Sequence, residues 1–233
     1  SGNLAEALKI YGEAYKLNPN SHELLWNAGI INEEFGLYEA ALALYNKTLS
    51  LNPDSAYLLG NEFLLRMRMC DWTDHELRLQ RLEEAIHSKK KVCPPFAASA
   101  IIDSPVLQFE VAKLYSSDCY PPRFSITPKH EKNKKIKIAY YSSDFHNHAI
   151  CYLTAKLFEL HDKEQFELFA FSYGPNANSD YRNRIKTSFD HFLDVRDNSD
   201  DEICSLSREL HIDIAIDLNG YTRHMRTGIF AGR

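Results

Sequence analysis

The sequence predicts stacked α-helical repeats followed by a parallel α/β lobe. Three observations support this fold class. The first 54 residues repeat with a period of 34, the part after residue 135 alternates between strand-like and helix-like patterns, and a polar, proline-containing stretch lies between these parts. We therefore expect repeats and a helical extension over 1–115, a linker over 116–135 and an α/β lobe over 136–233.

Composition bounds the class of protein. The chain has 233 residues, a hydrophobic fraction of 44% and a formal net charge of −5, which is ordinary for a globular protein and gives no electrostatic case for nucleic acid. No apolar run approaches the roughly 20 residues that span a bilayer. From the net charge and the apolar runs we expect neither a nucleic-acid nor a membrane partner. The cysteines are odd in number and form no C-x-x-C pair, so we expect reduced thiols and a cytoplasmic location. They are Cys70, Cys93, Cys119, Cys151 and Cys204.

The repeat appears when LAEALKIYGEAYKLNPN (4–20) is aligned with YEAALALYNKTLSLNPD (38–54). A 34-residue period closed by a proline is the tetratricopeptide signature. Because such repeats stack on neighbours, we expect the end of a longer α-superhelix that binds a protein or peptide along its surface. The identical pairs are Ala7/Ala41, Tyr11/Tyr45, Leu17/Leu51, Asn18/Asn52 and Pro19/Pro53.

The complete copy runs from about residue 21 to 54. Its small residues Gly29 and Ala41 should let two helices approach, with Tyr45 filling the space beside them, and Pro53 should end the second helix. A third copy opens near Ser55 and then departs from the pattern. Apolar residues there still keep helical spacing: Leu77, Leu79, Leu82 and Ile86.

The stretch SSDCYPPRFSITPKHEKNKK (116–135) has three prolines and no helical period, and it indicates a connection between modules. Its lysines admit two interpretations, a solvated linker or a basic patch for nucleic acid or acidic lipid, and the linker is the simpler one. These lysines are Lys129, Lys132, Lys134 and Lys135.

The α/β lobe is predicted from four β-rich runs separated by helical patterns. After the first run, Ile150, Leu153, Leu157 and Leu160 share one helical face. Before the last run, Ser199 and Glu202 form a capping box. Strands that alternate with helices indicate a parallel sheet covered on both faces. The predicted strands are 136–143, 166–173, 191–195 and 212–219.

A ligand crevice is expected outside the carboxyl ends of the parallel strands. Three polar loops should meet there: SDFHNH after the first strand, YGPNAN after the second and NGYTRH after the fourth. The first loop has no G-x-G-x-x-G fingerprint, which argues against a dinucleotide site.

The first of these loops supports three interpretations. Asp144, His146 and His148 could hold a metal ion, as in a metal-dependent hydrolase, although they lack a recognised ligand spacing. Asn147 could cap the following helix. A histidine at a helix start facing a crevice could also act in proton transfer with a hydroxyl. The residues of the loop do not decide among these interpretations.

Taken together, these segments resemble the tetratricopeptide-containing O-linked N-acetylglucosamine transferases, particularly the bacterial forms, which are also similar to the plant SPINDLY proteins. The resemblance rests on the repeats and on CDWTDHELRLQRL, KIKIAYYSSDFHNHAICYL, FELFAFSYGPN, FDHFLDV and IDIAIDLNGYTRHMRTGIFAGR. Within them, Asp144-Phe145-x-Asn147-His148 and Asp217-Leu218-x-Gly220-Tyr221-Thr222 with Arg226 and Phe230 are specific in combination.

The resemblance implies the acceptor half of a GT-B glycosyltransferase with two Rossmann-like lobes, inverting, independent of metal and without a cofactor. Such enzymes transfer N-acetylglucosamine from a UDP donor to serine or threonine of an acceptor protein. His148 corresponds to the proposed catalytic histidine of the family and would orient the acceptor hydroxyl, whose proton passes either to this histidine or to a phosphate oxygen of the donor. The residues implied to bind substrate are Asp144, Asn147, Asn219, Gly220, Tyr221 and Thr222.

The chain departs from the family pattern at Ala149, Tyr152 and Gly232, where proline, a second histidine and leucine are more usual. It also stops at Arg233, before the second lobe, through which the family mainly binds the UDP-sugar. We therefore expect a piece cut at both ends that binds UDP-sugar poorly and is inactive by itself. Two alternatives remain: a tetratricopeptide scaffold with a non-catalytic α/β module, and a fucosyltransferase of SPINDLY type.

Overall fold

The computed structural model describes residues 4–122 and 133–232. The chain divides into two compact units, Ser1–Cys119 and Tyr120–Arg233. Residues 123–132 of the predicted linker, including Lys129 and Lys132 of the basic-patch interpretation, lie outside the described residues.

In the described part of the first unit, every regular secondary-structure element is a helix, as the repeat predicts. They are α1 (Leu4–Leu17), α2 (His22–Glu34), α3 (Tyr38–Leu51), α4 (Leu58–Arg68), α5 (His75–His87), α6 (Pro95–Ile101) and α7 (Pro105–Cys119). Helix α7 continues four residues into the segment that the sequence assigns to the linker.

The close approach of α2 and α3 confirms the predicted tetratricopeptide packing. A Cβ atom on Gly29 would lie 2.4 Å from Cε1 of Tyr45, so only glycine fits at this position. Tyr45 is 1% exposed, and its hydroxyl donates to Oε2 of Glu33 at 2.8 Å. Helix α3 ends at Leu51, two residues before Pro53.

The third copy and its extension form a second apolar core in this unit. Leu82 and Ile86 of α5 are buried, whereas Leu77 on the same helix is 53% exposed. The core of α4–α7 contains Phe63, Leu82, Ile86, Val92, Cys93, Ala97, Ala98, Ile101, Ile102, Leu107 and Val111.

The second unit is built on a parallel four-stranded sheet, which confirms the predicted α/β class. Its strands are β1 (Ile136–Ser142), β2 (Phe166–Ser172), β3 (His191–Asp194) and β4 (Ile214–Asp217), and its helices are α8 (Ala149–Leu160), α9 (Asp180–Ser188), α10 (Asp200–Glu209) and α11 (Gly228–Ala231). The strand order is β3-β2-β1-β4, so the chain moves outward from β1 and then returns to its other side. This reversal between β1 and β4 creates the switch point at which such sheets bind ligands.

Alternating strand residues supply two cores, one on each face of the sheet. Tyr140 and Leu168 pack with α8 and α9, whereas Tyr141 and Phe171 pack with α10 and α11. The predicted capping box at Ser199 and Glu202 is present at the start of α10. Among the helices that the structure describes, none combines the length and the hydropathy of a membrane span.

Helix α8 shows one difference from the sequence pattern. Its buried residues are Cys151, Ala155 and Phe158, whereas Leu153 is 80% exposed. The two other leucines of the predicted apolar face, Leu157 and Leu160, are exposed as well. Phe158 determines this orientation because its ring packs among aromatic rings of the sheet and of the segment before β3.

Candidate active site at the sheet switch point

The three polar loops meet at the carboxyl ends of the strands, as predicted. Asn219, after β4, joins them: its Oδ1 accepts from the amide of Ser143 and from the hydroxyl of Tyr173, both at 2.9 Å. Gly174 allows the β2 loop to pass against the β1 loop, because a Cβ there would lie 1.6 Å from the carbonyl oxygen of Ser143.

The carboxylate of Asp144 is fixed by neutral donors. The Ser143 hydroxyl donates to its Oδ1 at 2.8 Å, and the Asn219 side-chain amide donates to its Oδ2 at 2.9 Å. The side chain is 15% exposed. Two neutral hydrogen bonds hold the carboxylate in one orientation while its negative charge stays available to a partner in the crevice.

His148 begins α8 with its imidazole at the mouth of the crevice. The residue is the N-cap of the helix, and its Nδ1 accepts from the amide of Ile150 at 3.3 Å. The side chain is 43% exposed, and Nδ1 lies 3.9 Å from Oδ2 of Asp144. Because Nδ1 is used as an acceptor, the neutral ring carries its proton on Nε2.

The interpretation that Asn147 caps α8 is wrong, because the capping residue is His148. Asn147 is exposed, and its Oδ1 instead accepts from the amide of Tyr181 in the first turn of α9, at 3.4 Å. A helix N-cap with a β-region backbone can use any side-chain acceptor within reach, and the imidazole is one residue closer to the helix.

The metal interpretation is not supported by the geometry. Oδ1 and Oδ2 of Asp144 each lie 3.9 Å from a different imidazole, that of His146 and that of His148. Within 4–122 and 133–232, no group of three or more His, Cys, Asp and Glu side chains is arranged to hold a metal ion.

The turn after β4 forms the other wall. Gly220 has a φ of 54°, a left-handed conformation that favours glycine. The amide and the hydroxyl of Thr222 both donate to the carbonyl of Asn219, at 3.1 and 2.8 Å. Thr222 is exposed and Tyr221 partly exposed, whereas Asn219 is 4% exposed and shapes the cleft from beneath.

Two residues that the sequence did not single out complete this network. Burial, followed by the carboxylates of Asp217 and Asp144, raises the pKa of Tyr173, so its hydroxyl remains a donor to Asn219. Burial raises the pKa of the Cys151 thiol to about 11, and the thiol donates to the carbonyl of Asp144 at 2.9 Å. The position of Tyr173 beside a strand end was a usable signal, whereas Cys151 gave none.

Arg226, part of the quoted motif, closes one side of the network. Its guanidinium lies over the ring of Tyr173, 5.6 Å from the centroid, and Nε donates to Oδ1 of Asp200 at 2.7 Å. It thereby attaches the start of α10 to the end of β2.

Comparisons with known proteins agree with this architecture. A family model described as Tetratricopeptide repeat matches residues 1–60, and one described as Glycosyl transferase family 41 matches residues 111–233. A mutant O-GlcNAc transferase from Thermobaculum terrenum has a similar fold, with a TM-score of 0.63 and 22% identity over 99% of this chain and 45% of its own.

Two curated relatives have the same kind of name. The probable UDP-N-acetylglucosamine–peptide N-acetylglucosaminyltransferase SEC of Arabidopsis thaliana is 34% identical over 180 residues. The UDP-N-acetylglucosamine–peptide N-acetylglucosaminyltransferase of Caenorhabditis elegans is 25% identical over 186 residues. The matches cover 70% and 71% of this chain but only 18% and 16% of the two relatives. Because the family model covers more than half of the sequence, the chain belongs to glycosyl transferase family 41.

Proposed function

We propose that this chain supplies the repeats and the acceptor-side lobe of a protein O-glycosyltransferase that moves N-acetylglucosamine from UDP to serine or threonine. Family membership and the names of both relatives support the reaction class. The observation that carries the proposal is the partly exposed His148 imidazole at the switch point, beside a carboxylate that neutral donors hold in place.

The reaction is a single displacement with inversion. The acceptor oxygen bonds to C1 of the sugar, the bond from C1 to the phosphate oxygen breaks, and UDP leaves with the electron pair. The hydroxyl proton passes either to the imidazole or to a phosphate oxygen of the donor. Positioning the acceptor oxygen opposite the leaving group accounts for much of the rate in such reactions.

His148 has two possible roles, which differ in the ring nitrogen that carries the proton before the reaction. In the neutral form described above, Nε2–H donates to the acceptor oxygen and orients it. To take the proton at Nε2, the ring must carry a proton on Nδ1, which requires it to turn from the Ile150 amide toward Oδ2 of Asp144, 3.9 Å away. Asp144 would then stabilise the imidazolium.

The remaining substrate-binding residues divide by exposure. Asn147, Gly220 and Thr222 are exposed, and with Tyr221 they can contact sugar or peptide, whereas Asn219 acts through Asp144. We propose that the reaction needs no metal or other cofactor, because no group of three or more His, Cys, Asp and Glu side chains among the described residues is arranged to hold a metal ion.

We further propose that the acceptor is a protein that lies along the tetratricopeptide unit. The match of a repeat model to residues 1–60 supports this, since stacked helical repeats provide extended binding surfaces. A cytoplasmic location is proposed on the unpaired state of the described cysteines.

The test uses the full-length protein and follows transfer of labelled sugar from UDP-N-acetylglucosamine to a protein acceptor. His148→Ala should lower transfer by roughly 10²- to 10⁴-fold, the range for losing a positioned acid–base group. The matched control is His191→Ala, since His191 is exposed and lies at the opposite end of the sheet.

Unchanged transfer by His148→Ala would overturn the assignment of His148. Transfer from a fucose donor instead of UDP-N-acetylglucosamine would replace the proposed sugar. Peptide binding without transfer from any sugar nucleotide would leave a scaffold in place of an enzyme.

A further inference from the structure

Arg182 on α9 is a buried cation beneath the loop that follows β1, residues 143–148. The residue is 6% exposed. One guanidinium nitrogen donates to the carbonyl of Phe145 at 2.9 Å and to the hydroxyl of Ser172 at 3.0 Å. The guanidinium also lies over the ring of Phe192, 5.0 Å from its centroid. It therefore contacts the β1 loop, the end of β2 and a residue of β3 at once.

The charge of Arg182 is only partly compensated. Burial lowers its pKa, and the nearest carboxylate, Asp194, opposes this from 3.7 Å. Asp194 is itself partly exposed and also accepts from Nε of Arg196 at 2.8 Å. A buried, loosely paired cation is weak evidence for a purely stabilising role, since an apolar residue of similar size often serves stability as well.

The carbonyl that Arg182 holds, that of Phe145, belongs to the loop that carries Asp144 and His148. Phe145 follows Asp144 and precedes His148 by three residues, and its own side chain is completely buried. The ring packs against Phe158, Phe189 and Phe192 with centroid distances of 5.8–6.3 Å.

The backbone on the N-terminal side of Phe145 is held in a similar way. The carbonyl of Asp144 accepts from the buried thiol of Cys151, so two successive loop carbonyls have buried side-chain donors. Asn219 and Ser143 fix the carboxylate of Asp144. Between Phe145 and His148, the amide of Tyr181 donates to the side chain of Asn147 at 3.4 Å, which does not hold the backbone itself. Among the contacts described above, the bond from Arg182 to the Phe145 carbonyl is therefore the last one from another helix to the loop backbone before the imidazole.

We propose that Arg182 is a positioning residue for His148. By holding the Phe145 carbonyl, it fixes the path of the chain from Asp144 to the N-cap of α8 and keeps Nδ1 of His148 between the Ile150 amide and Oδ2 of Asp144. The catalytic consequence rests on the function proposed above, whereas the effect on the geometry of the loop does not.

Arginine has a specific advantage in this position. Its planar guanidinium presents donors in a rigid fork, so one group can serve the Phe145 carbonyl and the Ser172 hydroxyl while it stacks on Phe192. A lysine ammonium is a point charge on a flexible stem and would not reproduce both bonds and the stacking. Arg182→Lys therefore keeps the charge but loses the geometry.

The first experiment uses the 233-residue chain and needs no activity. Nitrogen-15 NMR of labelled histidine reports which ring nitrogen of His148 carries the proton, and amide resonances report residues 144–148. In the wild type we expect one dominant Nε2–H tautomer. Arg182→Lys, and Arg182→Gln should the lysine variant fail to fold, should give averaged ring resonances and shifted loop amides.

Arg184→Lys is the matched control, since Arg184 lies on the same helix but is exposed and pairs with Glu159 at 2.6 Å. It should leave the resonances of His148 unchanged. Ring and loop resonances that stay at wild-type positions in a folded Arg182 variant would overturn the proposal.

The second experiment measures transfer by the full-length protein. Arg182→Lys should lower kcat on the order of 10- to 10²-fold, because small misplacements of a catalytic group have effects of this size, and should leave KM for the UDP-sugar within about twofold. A raised KM with unchanged kcat would contradict a positioning role. Altered NMR resonances together with full activity of His148→Ala would sink the proposed function while the loop anchoring stands.

Discussion

Each unit contains a carboxylate that is largely shielded from solvent, and the two carboxylates differ in the charge of their hydrogen-bond donors. Glu62 in α4 has a side chain that is 2% exposed, and it accepts from Nε of Arg66 and, at 3.2 Å, from Arg78 of α5. Asp144, just after β1, is 15% exposed, and its carboxylate accepts hydrogen bonds from a hydroxyl and a side-chain amide, both uncharged. The first carboxylate is neutralised by cations and the second is not.

The difference separates a structural cluster from a candidate site. Charge-assisted bonds to two arginines satisfy Glu62, so it has little capacity for another partner. Asp144 accepts only uncharged donors in the hydrogen bonds described above, and its Oδ2 lies 3.9 Å from the partly exposed imidazole of His148. A carboxylate held by neutral donors next to a histidine is therefore the better marker of function here.

The largest effect on stability is expected at Glu62. Glu62→Gln removes the negative charge between Arg66 and Arg78, and loss of one partner from a buried ion pair costs about 3–5 kcal/mol. We expect the lower end of this range, because both arginines retain some exposure to water. Both tryptophans, Trp26 and Trp72, lie in the first unit, so their fluorescence during urea unfolding reports this unit alone.

The control for this measurement is Glu84→Gln on the exposed side of α5, which should change the unfolding midpoint little. Equal midpoints for Glu62→Gln and the wild type would show that the arginines do not depend on this carboxylate, and the contrast with Asp144 would be lost.

At Asp144 we expect a substitution to change stability little and sugar transfer strongly. In Asp144→Asn the amide can still accept from Asn219 and donate to the hydroxyl of Ser143, so the loss of stability should stay within about 1 kcal/mol. Transfer by the full-length protein should fall on the order of 10²-fold, because the imidazolium of His148 loses its carboxylate. Thermal unfolding and sugar transfer measured on the same preparation separate the two effects; a large loss of stability would place Asp144 with Glu62.

The smallest effect concerns Asp71, at the edge of the Glu62 cluster. Hydrogen bonds from the hydroxyl and amide of Thr73, together with the Arg66 guanidinium at 2.5 Å, lower the pKa of Asp71 to about 2. Since the unfolded value is about 3.9, its contribution to stability is present above about pH 4 and is lost as the pH falls toward 2.

Carbon-13 NMR titration of the Asp71 carboxyl should give this low midpoint, and Thr73→Ala should move it upward, since Thr73 provides the largest lowering influence. An ordinary midpoint in the wild type would remove Asp71 from the charged network.

Short-range patterns predicted the elements well but not their partners. The four strands and the capping box of α10 follow from runs and spacings within a few residues, and the structure confirms them. Helix α8 was predicted as a helix, yet its leucine stripe is exposed and Phe158 is buried. Hydrophobic periodicity identifies an apolar face, but which face packs depends on the shape of the sheet beneath it.

The candidate site could likewise be predicted only in part from the sequence. Its polar loops could be placed at one edge of the sheet, because parallel strands all end on the same side. The use of Asn147 at α9, the capping role of His148 and the burial of Arg182 could not be predicted. Each depends on an atom from a residue at least two positions away in a geometry that only folding creates. The bonds from Tyr181 to Asn147 and from Arg182 to Phe145 join residues 34 and 37 positions apart.

The sequence by itself determined the repeat, the order of strands and helices, and the membership of the chain in a glycosyltransferase family, because these are properties of residue type and spacing. The tertiary structure alone decided how Asp144 is held, which nitrogen of His148 caps α8 and that Arg182 lies beneath their loop. The physical reason is that hydrogen bonds require atoms within about 3 Å. Asn219 and Asp144, 75 positions apart, reach that distance only when β1 and β4 pair in the sheet.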